Sequence, residues 1–189
     1  MYSENIDSLE ERADHLPETE LQTYTATSDF FNSIHKALIS KGTKLIAGPR
    51  GSGKTHLMRF TYIKCKGDKK LPLCIYVSFN AYLRLEPFLK SKVDALDLFY
   101  TWVLARILQA LGELINSLAD DPDLTDILVG FKAETLDDVI SRLERGIASE
   151  IIMERDISIS RVIDAINRTA NHFSRKRSVI LFDDAALTL

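Results

Sequence analysis

The segment at residues 48–55 constrains the fold of this chain more than any other part of the sequence. It reads GPRGSGKT and matches the pattern G-x-x-x-x-G-K-[ST] at every fixed position. That pattern is typical of a glycine turn with a buried strand before it and a helix after it. The apolar run at residues 45–47 suits such a strand, and residues 55–65 suit such a helix.

Apolar spacing predicts further elements on both sides of this turn. The first is a helix at 30–38, which Ser28 or Asp29 caps and Gly42 ends, and a strand at 73–79 follows. A long helix is predicted at 95–118, and two more helices at 135–154 and 160–173, the second of which is capped by Ser160. The last predicted element is a strand at 179–182. The first two strands and the helix between them form a strand–helix–strand unit with parallel strands. The predicted fold class is α/β with a mainly parallel sheet.

Length and composition set the domain organisation. A chain of 189 residues suits one α/β domain with a single core. Residues 1–23 are acidic and polar, so we interpret them as a loosely packed lead-in to a core at 24–189. The helices at about 94–173 form an elaboration of that core, which offers a surface for a partner protein.

Charge and cysteine content exclude several classes of protein. The formal net charge of -3 provides no chain-wide basic field for nucleic acid or an anionic membrane. No secretory signal is evident, and no apolar run approaches the ~20 residues of a membrane-spanning helix. Cys65 and Cys74 form neither a CxxC pair nor a disulfide framework. A cytoplasmic protein without a membrane partner is expected.

The glycine turn also carries chemistry. Its backbone amides can surround phosphate oxygens, and the following helix N-terminus adds partial positive charge. Lys54 is placed to reach the β- and γ-phosphates of a nucleotide, and the Thr55 hydroxyl can coordinate Mg2+. We therefore predict a phosphate-binding loop (P-loop) for ATP with magnesium. Its predicted binding residues are Gly48, Pro49, Arg50, Gly51, Ser52, Gly53, Lys54, Thr55 and His56.

Two adjacent acids, Asp183 and Asp184, follow the last predicted strand. Ligands of open α/β sheets bind at the carboxyl ends of the strands. Asp183 is predicted to hold the magnesium, directly or through water. Asp184 is predicted to orient the water that attacks the γ-phosphate, and so to be catalytic together with Lys54. The alternative is an acidic turn after a strand.

Other candidate residues favour structural roles. The histidines are too far apart for a local metal motif, so packing or surface positions are expected; they are His15, His35, His56 and His172. The basic run at 175–177 precedes a strand and is more typical of a solvated edge than of a nucleic-acid contact. Trp102 and its neighbours at 99–100 lie on a helix stripe, where core packing is the default over base stacking.

These motifs together resemble the AAA+ ATPases, in particular the origin-recognition-complex-like branch and the signal-transduction ATPases called STAND. The resemblance rests on GPRGSGKT at 48–55 (Walker A), the helix at 30–38 and LFDD at 181–184 (Walker B). It implies a three-layer αβα P-loop fold with a helical insertion between the two motifs. It also implies ATP hydrolysis and self-association of the full-length protein, in a class linked to DNA remodelling or defence signalling.

The sequence departs from the family after Walker B. In the family, the strand with the sensor-1 residue follows Walker B and lies between the P-loop and Walker B strands. No sensor 1, arginine finger, sensor 2 or helical lid can be assigned here. We therefore expect an incomplete sheet and an N-terminal piece of a longer ATPase, which binds nucleotide more readily than it hydrolyses it.

Three functions remain open at this point. The first is an ATP-hydrolysing motor or switch of AAA+ type. The second is a nucleotide-dependent scaffold in which the helices at 94–173 bind a partner and turnover is small. The third is a small-molecule kinase that uses the same loop, which the paired acids disfavour because they suit water activation.

Overall fold

The computed structural model describes residue 13 and residues 16–80, 95–145 and 157–184. In these ranges it is a mixed α/β chain of seven helices and two strands. The elements are α1 (Glu18–Tyr24), α2 (Asp29–Leu38), α3 (Lys54–Gly67), β1 (Leu73–Ser78), α4 (Ala95–Ala119), α5 (Pro122–Val129), α6 (Ala133–Glu144), α7 (Ile159–His172) and β2 (Ser178–Asp183). The chain divides into two compact units, residues 1–71 and 72–189.

In the first unit, α1 and α2 both pack against α3. Leu21 of α1 is fully buried and shares a small core with Phe60 and Ile63 of α3. Phe31 of α2 adds an edge-on ring contact to Phe60, with 5.1 Å between ring centroids. The end of the lead-in at 1–23 is therefore a helix with a packed apolar residue.

Helix α2 begins where its capping signal predicts. The Ser28 side chain accepts a hydrogen bond from the backbone N–H of Phe31 at 3.1 Å, which confirms this predicted cap. The helix ends at Leu38 and its C-cap is Ile39, so the prediction that Gly42 ends it is wrong. Lys44 folds back over this end and donates to the carbonyls of Ser40 and Lys41, at 2.9 and 2.8 Å. The Lys44 ammonium thus satisfies carbonyls of the turn that follows the helix, while the Ile39 and Ser40 N–H groups bond to the carbonyls of its last turn.

The strand predicted at residues 45–47 is absent: this segment has no regular secondary structure. Leu45 is 88% exposed, and Ala47 is exposed as well. A strand is held by hydrogen bonds to a neighbouring strand, and no described residue pairs with this segment. The predicted strand–helix–strand unit around α3 is therefore wrong, although its helix and its second strand are both present.

The second unit is built on a parallel pair, β1 and β2. The register runs from Leu73 opposite Ser178 to Ser78 opposite Asp183. Both strands lie where apolar runs predict them. Leu73, Ile75 and Val77 on one face of β1 and Cys74 on the other are nearly inaccessible to solvent, as expected for a strand that is covered on both faces. Parallel neighbours need a long crossover, and α4, α5, α6 and α7 all belong to it.

Helix α4 is the centre of this unit and contacts β1, α5, α6 and α7. By length and mean hydropathy it could cross a membrane, contrary to the expectation from the sequence. Its apolar residues, however, are the ones that face its neighbours: Trp102, Leu108, Leu111 and Ile115 have no exposed surface. That pattern is typical of the core helix of a bundle.

Three local features of the crossover differ from the predictions or go beyond them. The sequence does not predict helix α5, although Asp121 caps it and Pro122 occupies its first turn. Helix α7 is capped by Ser158 and not by Ser160, because the Ser158 hydroxyl accepts from the Arg161 N–H at 3.4 Å. The predicted helix at 135–154 is present as α6 to Glu144, and its portion at 146–156 lies outside the described residues.

Candidate functional site

The predicted P-loop is an open turn that leads directly into α3. Gly51 and Gly53 have φ angles of +83° and +81°, which a residue with a Cβ adopts at a cost of about 1–2 kcal/mol. Gly53 is the N-cap of α3, and Lys54 is the first helical residue. The two later glycines of the motif therefore make the sharp entry into the helix that the sequence predicts.

The first turn of α3 presents backbone donors at this entry. The first N–H to bond within the helix is that of Leu57, to the Gly53 carbonyl at 2.9 Å. The N–H groups of Lys54, Thr55 and His56 precede it and have no acceptor within the helix. Such a terminus, with its partial positive charge, suits an anion such as phosphate.

Lys54 lies across the turn. Its Nζ donates to the carbonyls of Gly48 and Pro49, both at 2.8 Å. The Ser52 N–H closes the turn from inside by donating to the Pro49 carbonyl at 3.3 Å. A Cβ added to Gly48 would lie 3.0 Å from the Ser52 hydroxyl, so the loop is tight at this point. The ammonium is thus held over the loop that the motif assigns to phosphate.

Thr55 and His56 follow Lys54 and are half-buried. The Thr55 hydroxyl makes no hydrogen bond to the described part of the chain and can act as a metal ligand. His56 lies 2.7 Å from the Thr25 hydroxyl through Nε2. Burial, and then the charge of Arg59, lowers the pKa of His56, which favours the neutral ring. His56 therefore ties the α1–α2 connection to the P-loop helix.

Asp183, the predicted metal ligand, ends β2 and is 4% exposed. Its Oδ2 accepts a hydrogen bond from the Tyr76 hydroxyl at 2.7 Å, and its Oδ1 accepts from the Asp184 N–H at 3.1 Å. Each carboxylate oxygen keeps a further lone pair for water or a metal ion. The carboxylate is therefore oriented by two donors, one on β1 and one in the residue that follows β2.

Asp184, the predicted catalytic residue, leaves the strand with a φ of +59°. Aspartate is one of the few residues with a side chain that visit this left-handed region. The change of backbone direction places Asp184 half-buried just beyond the strand, while Asp183 stays buried at its end. The two adjacent acids therefore have different environments, as their different predicted roles require.

Arg106 of α4 contacts the same end of the sheet, and sequence reasoning missed it. Its Nη2 donates to the carbonyl of Ser78, the residue opposite Asp183, at 3.1 Å. Its Nη1 donates to Gln109 at 2.7 Å, and Gln109 in turn donates to Asp137. The only sequence signal for Arg106 is that a charged residue interrupts the mainly apolar sequence of a long helix.

The remaining candidates have structural positions. His35 is buried and lies 3.1 Å from the Thr61 hydroxyl through Nδ1. Trp102 is buried and donates from Nε1 to Glu144 at 3.2 Å, which confirms its core role. Arg175 is buried, so the run at 175–177 is a solvated edge only at its last two residues. Within the described ranges, no three acid, histidine or cysteine side chains form a cluster that could hold a metal ion.

A groove of about 310 Å³ lies between the end of α5 and the first half of α7. Three isoleucines in these helices are more than half exposed: Ile127, Ile159 and Ile163. Arg168 fixes the α5 side by donating to the Ile127 carbonyl at 2.6 Å. Arg161 lies over the ring of Phe131, 4.5 Å from its centroid. The groove and the exposed isoleucines are part of the helical segment predicted to contact a partner.

The predicted site residues therefore form two groups. Residues 48–56 belong to the first compact unit, and Asp183 and Asp184 belong to the second. Comparison of the chain with protein-family models, curated proteins and solved structures finds no match.

Proposed function

We propose that this chain binds ATP with magnesium through residues 48–56 and belongs to a P-loop ATPase of AAA+ type with a three-layer αβα core. The observation that carries the proposal is the entry into α3. There, two left-handed glycines, helix amides without an acceptor in the helix and the Lys54 ammonium lie together in one turn, and this combination supports phosphate binding. A glycine turn that only connects two elements and binds no ligand does not require this combination.

The donor set fits a nucleotide with its metal. Lys54 balances phosphate charge, and the α3 amides donate to phosphate oxygens. The Thr55 hydroxyl in the first unit and the Asp183 carboxylate in the second unit are both oxygen donors, the type of ligand that Mg2+ prefers. Magnesium, when bound, neutralises phosphate charge and favours attack at the γ-phosphate. Asp184 is proposed to orient the attacking water, so that the chain's own residues divide into binding, metal-holding and water-orienting groups.

Calorimetric titration of the full chain with Mg-ATP tests the proposal. Lys54→Ala should weaken binding by about 10- to 100-fold, because it removes a charge-assisted contact to phosphate. Lys69→Ala, an exposed lysine in the same unit, is the matched control and should bind as the wild type does. Absence of heat in the wild type, or equal affinity in Lys54→Ala, would overturn the proposal.

Turnover is tested separately from binding. Asp184→Asn should retain Mg-ATP affinity and slow phosphate release by about 10²-fold or more, as expected when a group that orients or deprotonates water is lost. A phosphate-release assay on the same variants measures it. If Asp184→Asn hydrolyses ATP at the wild-type rate, the assigned role of Asp184 is wrong even though binding stands.

A second candidate function is a nucleotide-dependent scaffold, favoured by the exposed isoleucines beside the α5–α7 groove. Large exposed apolar side chains on two helices that contact each other favour a protein contact surface. In this function a partner binds the helices and ATP sets the affinity. Ile163→Asp should abolish capture of the partner, whereas His172→Gln, at an exposed position of the same helix outside the groove, should not. Capture that ignores nucleotide and survives Lys54→Ala would exclude this function.

A further inference from the structure

Tyr76 lies on the strand next to Asp183 and on the same face of the sheet. In the register of β1 and β2, Ser78 is opposite Asp183 and Tyr76 is opposite Leu181. Because side chains alternate along a strand, Tyr76 and Ser78 share a face, and Tyr76 is the diagonal neighbour of Asp183. A long side chain is needed to bridge such a diagonal, and the tyrosine hydroxyl reaches Asp183 Oδ2 at 2.7 Å.

We propose that Tyr76 is a positioning residue for divalent metal, holding the Asp183 carboxylate in the orientation in which it binds Mg2+. This inference rests on the proposed function. A hydroxyl within 2.7 Å of a buried carboxylate makes a strong, directional bond, and the Asp184 N–H fixes the other oxygen. Rotation of the carboxylate would break one bond or the other, so the two donors together hold its plane.

The positioning matters because Asp183 is buried at the end of a strand. A buried carboxylate that lost its donor would be left with an unsatisfied oxygen or would turn towards another donor. Removing a residue that hydrogen-bonds to a metal ligand typically lowers the metal affinity by about 10- to 100-fold. The rest of the nucleotide contacts belong to residues 48–56 and do not depend on Tyr76.

The test measures metal binding rather than activity. Mn2+ is titrated into the full chain in the presence of a non-hydrolysable ATP analogue, and free Mn2+ is followed by electron paramagnetic resonance. Tyr76→Phe keeps the ring and removes only the hydroxyl, and we expect it to weaken Mn2+ binding about 10-fold or more. Binding of the analogue without metal should be unchanged. Tyr100→Phe, an exposed tyrosine of α4, is the matched control.

A double-mutant cycle separates positioning from a general effect on folding. If Tyr76 acts through Asp183, then adding Tyr76→Phe to Asp183→Asn should cause no further loss of Mn2+ affinity. This comparison also applies if Tyr76→Phe alone does not fold, because the double variant leaves no buried charge unpaired. A further loss in the double variant would overturn the positioning role.

The two proposals fail in different ways. If the wild-type chain binds the analogue and Mn2+, and Tyr76→Phe binds Mn2+ equally well, the role of Tyr76 is overturned and the proposed function stands. If the wild type binds neither the analogue nor Mn2+, the proposed function itself is overturned and the role of Tyr76 falls with it.

Discussion

The two compact units differ in how completely their apolar residues are buried. In the second unit, the strands and α4 place a large set of side chains out of solvent, with Trp102, Leu108 and Ile75 fully covered. In the first unit, the small core around Leu21 coexists with Leu45, which is 88% exposed in the segment before the P-loop. The unit that contains the GPRGSGKT motif therefore leaves a large apolar side chain in solvent directly before the motif.

This difference teaches what a parallel strand needs. The apolar runs at 45–47 and 179–182 look alike in the sequence, yet only the second is a strand. Strand β2 pairs with β1 along its whole length, whereas residues 45–47 pair with no described residue. Apolar character alone does not form a strand, because the backbone hydrogen bonds must come from a neighbour.

The largest expected effect is in the core of the second unit. Trp102→Ala should destabilise the chain by about 3–5 kcal/mol, because it empties a fully buried site and removes the bond to Glu144. Denaturant unfolding combined with hydrogen exchange at β1 and α3 measures it. Leu96→Ala, at an exposed position of the same helix, should change stability by no more than about 0.5 kcal/mol. If hydrogen exchange shows that α3 and β1 lose protection equally in Trp102→Ala, the two units do not have separate cores.

A smaller effect is expected from pH in the first unit. Burial, followed by the charges of Lys64 and Lys36, lowers the pKa of His35 below its ordinary value of 6.5. The folded unit therefore binds a proton less readily than the unfolded chain does. Stability should fall as pH drops through 6.5 and should level off below the folded-state pKa.

The pH effect can be assigned with one variant. His35→Gln removes the titrating ring and keeps a polar group near Thr61, so its thermal midpoint should depend less on pH than that of the wild type. Exposed His172→Gln controls for the loss of a histidine elsewhere. A wild-type slope in His35→Gln would show that another group causes the pH dependence, and His56 would then be the next to replace.

The smallest effect sharpens the comparison of the two apolar runs. Leu45→Ala should change the free energy of unfolding by no more than about 0.5 kcal/mol, because its side chain is already in solvent. Leu57→Ala, a buried leucine of α3, should cost about 2–5 kcal/mol in the same assay. If the two variants are equally destabilised, residues 45–47 are buried in the folded protein, as the predicted strand would be.

Most of the elements could be predicted because their signals are local. The Ser28 cap, the apolar stripe of α4 and the glycines of the P-loop each act within a few residues of the structure that they form. The same locality explains the errors. Asp121 and Pro122 both stop one helix and start the next, and Ser158 and Ser160 offer the same capping chemistry two residues apart.

The candidate site could be predicted in part. The motif itself identifies Lys54, Thr55 and the paired acids, since their chemistry depends on residue type and spacing. Tyr76 and Arg106 could not be found in this way. Tyr76 is 107 positions from Asp183, and Arg106 reaches the sheet from a helix of the crossover.

The sequence by itself determined where most helices and strands form and where the GPRGSGKT turn enters α3. Only the tertiary structure decided that β1 and β2 are neighbours, that Leu45 remains in solvent and that Tyr76 orients Asp183. The physical reason is the distance in sequence between the groups that bond to each other. Helices and turns satisfy their backbone groups with residues close in sequence, whereas strands and buried carboxylates depend on partners that only the folded chain supplies.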